Sequence, residues 1–212
     1  IYGGPDGLRA NGNQLLNQDV VGMPDDPNVG RVEAEDLFGQ SLASGDLNGD
    51  GYDDLAVGVP FEDVEETVDV ATDAGVVYVL YGAFGGLTAQ GSQLWYQSMI
   101  DIHGHSESSD QFGYAVAIGD LNADGYGDLA VGAPHEEYSG PVGAGVVHVI
   151  YGTAGGLTAA GDQLWRQDDP LLQDAPETDD FFGFALAVIE VTEPVPPPPQ
   201  FRVFVPIVLR GY

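Results

Sequence analysis

The chain repeats itself, and that repeat limits what it can fold into more than any single motif does. Phe38 to Pro60 matches Phe112 to Pro134 at 16 of 23 positions, and Ala74 to Gln97 matches Ala144 to Gln167 at 17 of 24, with unequal insertions between the blocks. Self-similarity at a period of 70 to 74 residues marks a fold assembled from one supersecondary unit that cannot bury its own faces alone. Each unit reads as strand, acidic hairpin, strand, variable loop, strand, Gly-rich turn and a last strand ending in Gln-Leu-Trp. The apolar runs are short, contain Val and lie between turn residues, as strands do. The expectation is an all-β fold of four-stranded antiparallel β-propeller blades.

The acidic hairpin carries the chemistry. It is Asp46-Leu-Asn48-Gly-Asp50-Gly51-Tyr52-Asp53-Asp54 in the first unit and Asp120-Leu-Asn122-Ala-Asp124-Gly125-Tyr126-Gly-Asp128 in the second. Oxygen-bearing side chains at positions 1, 3 and 5, a backbone carbonyl at 7 and a carboxylate at 9 suit a hard cation that takes 6 to 8 oxygens. Gly at position 6 permits the sharp turn. Position 12, where an EF-hand needs a bidentate Glu, is Val57 or Val131, so the ion would clamp a β-turn. Two Ca²⁺ sites are expected, one on Asp46, Asn48, Asp50, Tyr52 and Asp54, the other on Asp120, Asn122, Asp124, Tyr126 and Asp128. Asp, Asn and Gly also make solvated turns without metal. The same ligand types recurring twice favour the ion.

The repeats resemble the FG-GAP family, found in the propeller heads of integrin α chains and in many bacterial extracellular proteins. The residues carrying the resemblance are Phe38-Gly39 with Gly58-Val59-Pro60, and Phe112-Gly113 with Gly132-Ala133-Pro134, each pair bracketing an acidic loop. It implies a bacterial-type extracellular protein and a non-catalytic, calcium-stabilised module for adhesion or ligand binding.

Both ends carry pieces of the same unit. Tyr2 to Leu15 matches the stretch from Tyr81 to Leu94, and Phe182-Gly183-Phe-Ala-Leu-Ala-Val restarts the pattern, with Glu190-Val-Thr-Glu-Pro standing where an acidic loop should follow. The expected organisation is a partial blade at 1–37, full blades at 38–111 and 112–181, a partial blade at 182–192, a proline-rich linker at 193–200 and a short apolar segment at 201–212. Two full and two partial blades make an incomplete ring, which reads as the C-terminal part of a longer protein.

Thirty-four acidic residues against five basic ones give a formal charge of −29, which argues against binding nucleic acid or an anionic membrane surface. No apolar run is long enough to span a bilayer. The chain has no cysteine, so disulfides and thiolate chemistry are excluded. Calcium loops favour an extracellular or cell-surface setting.

The loops that differ between units, 61–73, 100–110, 135–143 and 168–180, should leave the blades opposite the hairpins and meet an unknown protein or carbohydrate ligand. The alternative is the propeller part of an extracellular polysaccharide- or phosphodiester-cleaving enzyme, its catalytic residues upstream or in those loops. Phe38, Phe112, Phe182, Trp95 and Trp165 are expected in the packing of the blades. His148 is expected as a surface or cross-strand residue, and the rings of Tyr52 and Tyr126 as shields over their own hairpins.

Overall fold

The structure is a computed structural model. It describes residues 6–8, 10, 12–19, 23–29, 33–65, 69–99, 102–137, 140–172 and 174–189. The proline-rich linker and the apolar C-terminal segment lie outside the described residues.

Ten strands and no helix are found among those residues: β1 (Ser41–Gly45), β2 (Asp54–Val59), β3 (Val64–Glu65), β4 (Val70–Ala71), β5 (Val76–Ala83), β6 (Gly86–Trp95), β7 (Ala115–Gly119), β8 (Asp128–Ala133), β9 (Val146–Tyr151) and β10 (Thr158–Trp165). They form two four-stranded antiparallel meanders, β1-β2-β5-β6 and β7-β8-β9-β10. The registers correspond: Leu42 faces Val57 and Val57 faces Tyr78 in the first sheet, as Val116 faces Val131 and Val131 faces His148 in the second. Strands β3 and β4 are a small hairpin within the first insertion, bridged to Val29, which the sequence pattern left as loop.

Near-continuous apolar strands arise because each sheet is covered on both sides by different cores. Along β5, Val77, Val79 and Tyr81 join one cluster with Leu129, Val131 and Ile150 of the second sheet. The alternate residues Val76, Tyr78 and Leu80 join another with Met23, Leu16 and Val29 of the N-terminal segment. Side chains of a strand point alternately to its two faces, so this division follows directly. One strand pattern thereby serves two interfaces, as stacked blades require.

The Phe-Gly and Gly-x-Pro pairs meet across the unit boundary. A Cβ on Gly58 would lie 2.0 Å from the carbonyl oxygen of Gly113, and one on Gly132 would lie 2.0 Å from that of Gly183. Gly113 also sits at φ +89°, a conformation that side chains disfavour, while its N–H donates to Gly132 O at 3.1 Å. The Phe of each pair anchors the same junction. Phe112 N–H donates to Ala74 O and Phe182 N–H to Ala144 O, at 2.8 and 2.9 Å. Phe112 and Phe182 are buried and Phe38 half-buried.

The two end segments dock as the full units do. Gln14 makes the same two bonds to Leu87 that Gln93 makes to Leu157. Val188 occupies the space above Gly119 that Ile118 occupies above Gly45.

Candidate metal centre and loop face

Each acidic hairpin is tied together by its own carboxylates before any ion is considered. In the first, Asp46 accepts the N–H groups of Gly49, Asp50 and Gly51 at 2.7 to 3.1 Å, Asn48 Oδ1 accepts that of Asp50, and Asp50 Oδ1 that of Tyr52, both at 2.9 Å. In the second, Asp120 accepts Asp124 and Gly125, Asn122 Oδ1 accepts Asp124, and Asp124 Oδ1 accepts Tyr126. Such Asx turns curl the loop around its own oxygens.

The ninth residue does a different job. Asp54 is fully buried; it accepts Leu47 N–H and, from β5, Gly82 N–H, at 2.8 and 2.7 Å. Asp128 repeats this with Leu121, Asn122 and, just after β9, Gly152. Burial pushes both carboxyls above the usual carboxylate range, and the backbone donors pull back against it.

All ten candidate ligands therefore fall on two equivalent loops. Asp50, Tyr52, Asn122 and Asp124 are exposed, Asp46, Asn48, Asp120 and Tyr126 half-buried, and Asp54 and Asp128 buried. The donor set is oxygen throughout, which fits Ca²⁺ or Mg²⁺ and not a softer metal. An ionised carboxylate oxygen offers two acceptor positions, so an amide bond to it does not preclude a cation.

Tyr126 shields a hairpin other than its own. Its ring covers Gly49, where an added Cβ would come within 2.8 Å of the ring, while Tyr52 is exposed. The cause is blade-to-blade docking, which brings the second hairpin over the first.

At the opposite end lies a feature that the sequence reading passed over. Glu107, Asp110 and Glu136 bring carboxylate oxygens within 4.8 Å of one another, with Asp110 and Glu136 buried. Gln97, two residues after β6, donates to Glu136, and Asp110 accepts the Glu107 N–H at 2.6 Å. Burial first, then the Glu136 charge, raises Asp110 to about 8. The preceding junction is built alike. Gln18 donates to Glu62, Asp36 accepts the Glu33 N–H, and burial raises Glu62 to about 8. At the third, Gln167 donates to Asp180, which accepts the Glu177 N–H. The legible signal was a recurrent Glu-x-x-Asp before each Phe-Gly, with Glu two residues after each Gly-x-Pro.

The histidines do not converge. His103 pairs with Asp162 at 2.7 Å, and His135 packs on Phe181. His148 is cross-strand as expected but not at the surface: it is wholly buried against the edge of Phe112, and burial lowers it to about 3, so it is neutral. It takes the place that Tyr78 holds against Phe38 in the first unit, an aromatic filler at the junction. Ser106 exchanges hydrogen bonds with Ser98.

Stacked four-stranded meanders, each with an acidic hairpin at one end and variable loops at the other, define a repeat protein of β-propeller blades. A family model described as FG-GAP repeat matches residues 38–80 and 112–150. The chain is 37% identical over 180 residues to integrin alpha-PS2 of Drosophila melanogaster, covering 83% of this chain and 12% of that one. It is 36% identical over 150 residues to integrin alpha-IIb of Homo sapiens, covering 70% and 13%. It is also 38% identical over 119 residues to phosphatidylinositol-glycan-specific phospholipase D of Bos taurus, covering 56% and 14%. The chain thus spans about an eighth of these relatives' length. It belongs to the FG-GAP, integrin-α-like propeller family.

Proposed function

We propose that the chain is a non-catalytic, calcium-stabilised propeller module of an extracellular or cell-surface protein, used for adhesion or ligand binding. Ca²⁺ would be held by Asp46, Asn48, Asp50, the Tyr52 carbonyl and Asp54, and by Asp120, Asn122, Asp124, the Tyr126 carbonyl and Asp128. The bound ion would neutralise crowded carboxylates and stiffen the turn between the first two strands of each blade. The observation that carries this reading is the recurrence of the same all-oxygen hairpin, with the same internal hydrogen bonds, at equivalent places in both units.

A protein ligand would be met by loops 61–73, 100–110, 135–143 and 168–180, because the meander order sends them away from the hairpins. The likeness to integrin α chains supports this reading, as it does the extracellular setting. The likeness to a phospholipase D supports a second reading, a propeller that accompanies a phosphodiester-cleaving part of a larger enzyme.

Calorimetry with Ca²⁺ on chelator-stripped protein tests the proposal. Two ions bound by the wild type, none by the Asp50→Ala plus Asp124→Ala double variant, and a higher melting temperature with Ca²⁺ are expected. No binding by the wild type would overturn the calcium assignment.

A further inference from the structure

The two hairpins touch, and they touch through atoms next to the proposed ligands. Gly127 N–H of the second hairpin donates to the backbone carbonyl of Asp46 in the first, at 2.8 Å. That N–H belongs to the same peptide plane as the Tyr126 carbonyl, the position-7 ligand of the second hairpin. The peptide is trans, so its C=O and N–H point in opposite directions and cannot turn independently. Holding the N–H on Asp46 therefore sets the direction of the Tyr126 carbonyl.

Two further contacts strengthen the link. The Tyr126 ring lies on Gly49, at φ +73°, between Asn48 and Asp50 of the first hairpin. Leu47, at position 2 of the first hairpin, is fully buried in the core shared by both sheets, whereas its counterpart Leu121 is only half-buried. Close to the Leu47 carbonyl lies Gly152, the residue after β9, whose N–H is held by Asp128. The position-1 carbonyl of one hairpin is thus bonded to the peptide that carries the position-7 ligand of the next, and its position-2 carbonyl packs beside the glycine that the position-9 carboxylate holds.

Resting on the calcium reading above, we propose that the two sites are energetically coupled: filling the first hairpin orders Asp46 and, through the Tyr126–Gly127 peptide, raises the affinity of the second. Coupling between binding sites is reciprocal, so filling the second raises the affinity of the first by the same factor. The ligand is one hard divalent cation per hairpin, and the device is a peptide plane shared between neighbouring blades.

The test uses the whole chain, stripped with chelator and titrated with Ca²⁺ by calorimetry. Asp50→Ala and Asp124→Ala each remove one exposed ligand and leave the contacts between hairpins in place. Each variant should bind one ion, at least about fivefold more weakly than the wild type binds its second, the lower end of usual coupling. Tyr126→Ala keeps the ligand carbonyl but removes the ring from Gly49; it should bind two ions with reduced cooperativity. In Asp124→Ala, filling the first hairpin should also shift the Gly127 amide resonance. Two independent sites in the wild type, with single variants retaining the wild-type affinity per site, would overturn the coupling and leave the calcium reading standing. No binding by the wild type would overturn both.

Discussion

Gln93 holds the backbone of Leu157 twice, its Nε2 donating to the Leu157 carbonyl at 2.9 Å and its Oε1 accepting the Leu157 N–H at 3.0 Å. The Tyr81 hydroxyl joins them, donating to Gln93 Oε1 and accepting the same N–H. Leu157 stands just before the last strand of the next unit, and Gln14 repeats the grip on Leu87 one unit earlier. A side-chain amide, with one donor group and one acceptor, matches the free edge of a single residue's backbone. The contact therefore sets the height at which one blade docks on the next.

Removing that amide leaves a buried N–H with one partner fewer. Gln93→Ala should cost about 1 to 3 kcal/mol, seen as a lower melting temperature. Gln14→Ala should cost less, since its bonds are exposed to water. A Gln93→Ala effect no larger than that of Gln14→Ala would show that the bond is not part of blade docking.

Apolar strand positions should respond according to how far the blades cover them. Val116 is buried at 7% exposure between the sheets, whereas Leu42, its counterpart on β1, is 60% exposed and lies outside the cluster that the N-terminal segment forms on that face of β2 and β5. Leu42→Ser should change stability by less than about 0.5 kcal/mol, as surface substitutions do. Leu129→Ala, in the shared core at 0% exposure, should cost about 2 to 5 kcal/mol. Chemical denaturation of the three proteins measures both.

What was legible in the sequence was what repeats locally. Four strands per unit, their order, and the hairpins at Asp46 and Asp120 all follow from short apolar runs between turn residues, repeated in both units. The Asp110, Glu136 and Gln97 group is marked only by the recurrence of its pattern, because its members come from three segments and each alone reads as an ordinary surface residue in so acidic a chain. His148 was misplaced for a related reason. A histidine in a strand reads as polar, and only blade docking reveals that Phe112 covers it. The direction of Tyr126 likewise depends on how one unit stacks on another, a relation that no local pattern encodes.

The buried carboxyls at the junctions predict a pH dependence with a definite sign. Glu62 and Asp110 are held near 8 in the folded protein, far above their ordinary values of 4.5 and 3.8. Between those limits the folded state binds more protons than the unfolded one, so stability falls as pH rises. The contribution is fully present below about pH 4 and is lost as pH climbs through 8. In chelator, the melting temperature should fall from pH 5 to pH 8. Glu62→Gln plus Asp110→Asn, neutral at every pH, should flatten the slope; an unchanged slope would place the protons elsewhere.

Asp124 and Asp128 separate the role of the ion from that of the fold. Asp124 is exposed and accepts one backbone N–H, from Tyr126, and the side-chain amide of the equally exposed Asn122. Asp128 is buried and accepts three backbone N–H groups, from Leu121, Asn122 and Gly152, the last just beyond the end of β9. Without Ca²⁺, Asp124→Ala should be within about 1 kcal/mol of the wild type, the usual worth of one such bond. Asp128→Ala should already be destabilised by about 2 to 4 kcal/mol, because buried amides lose a charged acceptor. With saturating Ca²⁺ the wild type gains stability by mass action, and both variants should lose that gain at the second hairpin. Melting curves with and without Ca²⁺ provide the comparison. Equal destabilisation by the two substitutions in chelator would mean that the ninth position acts only through the metal; its bond to Gly152, which continues directly from β9, argues that it also joins the hairpin to the sheet.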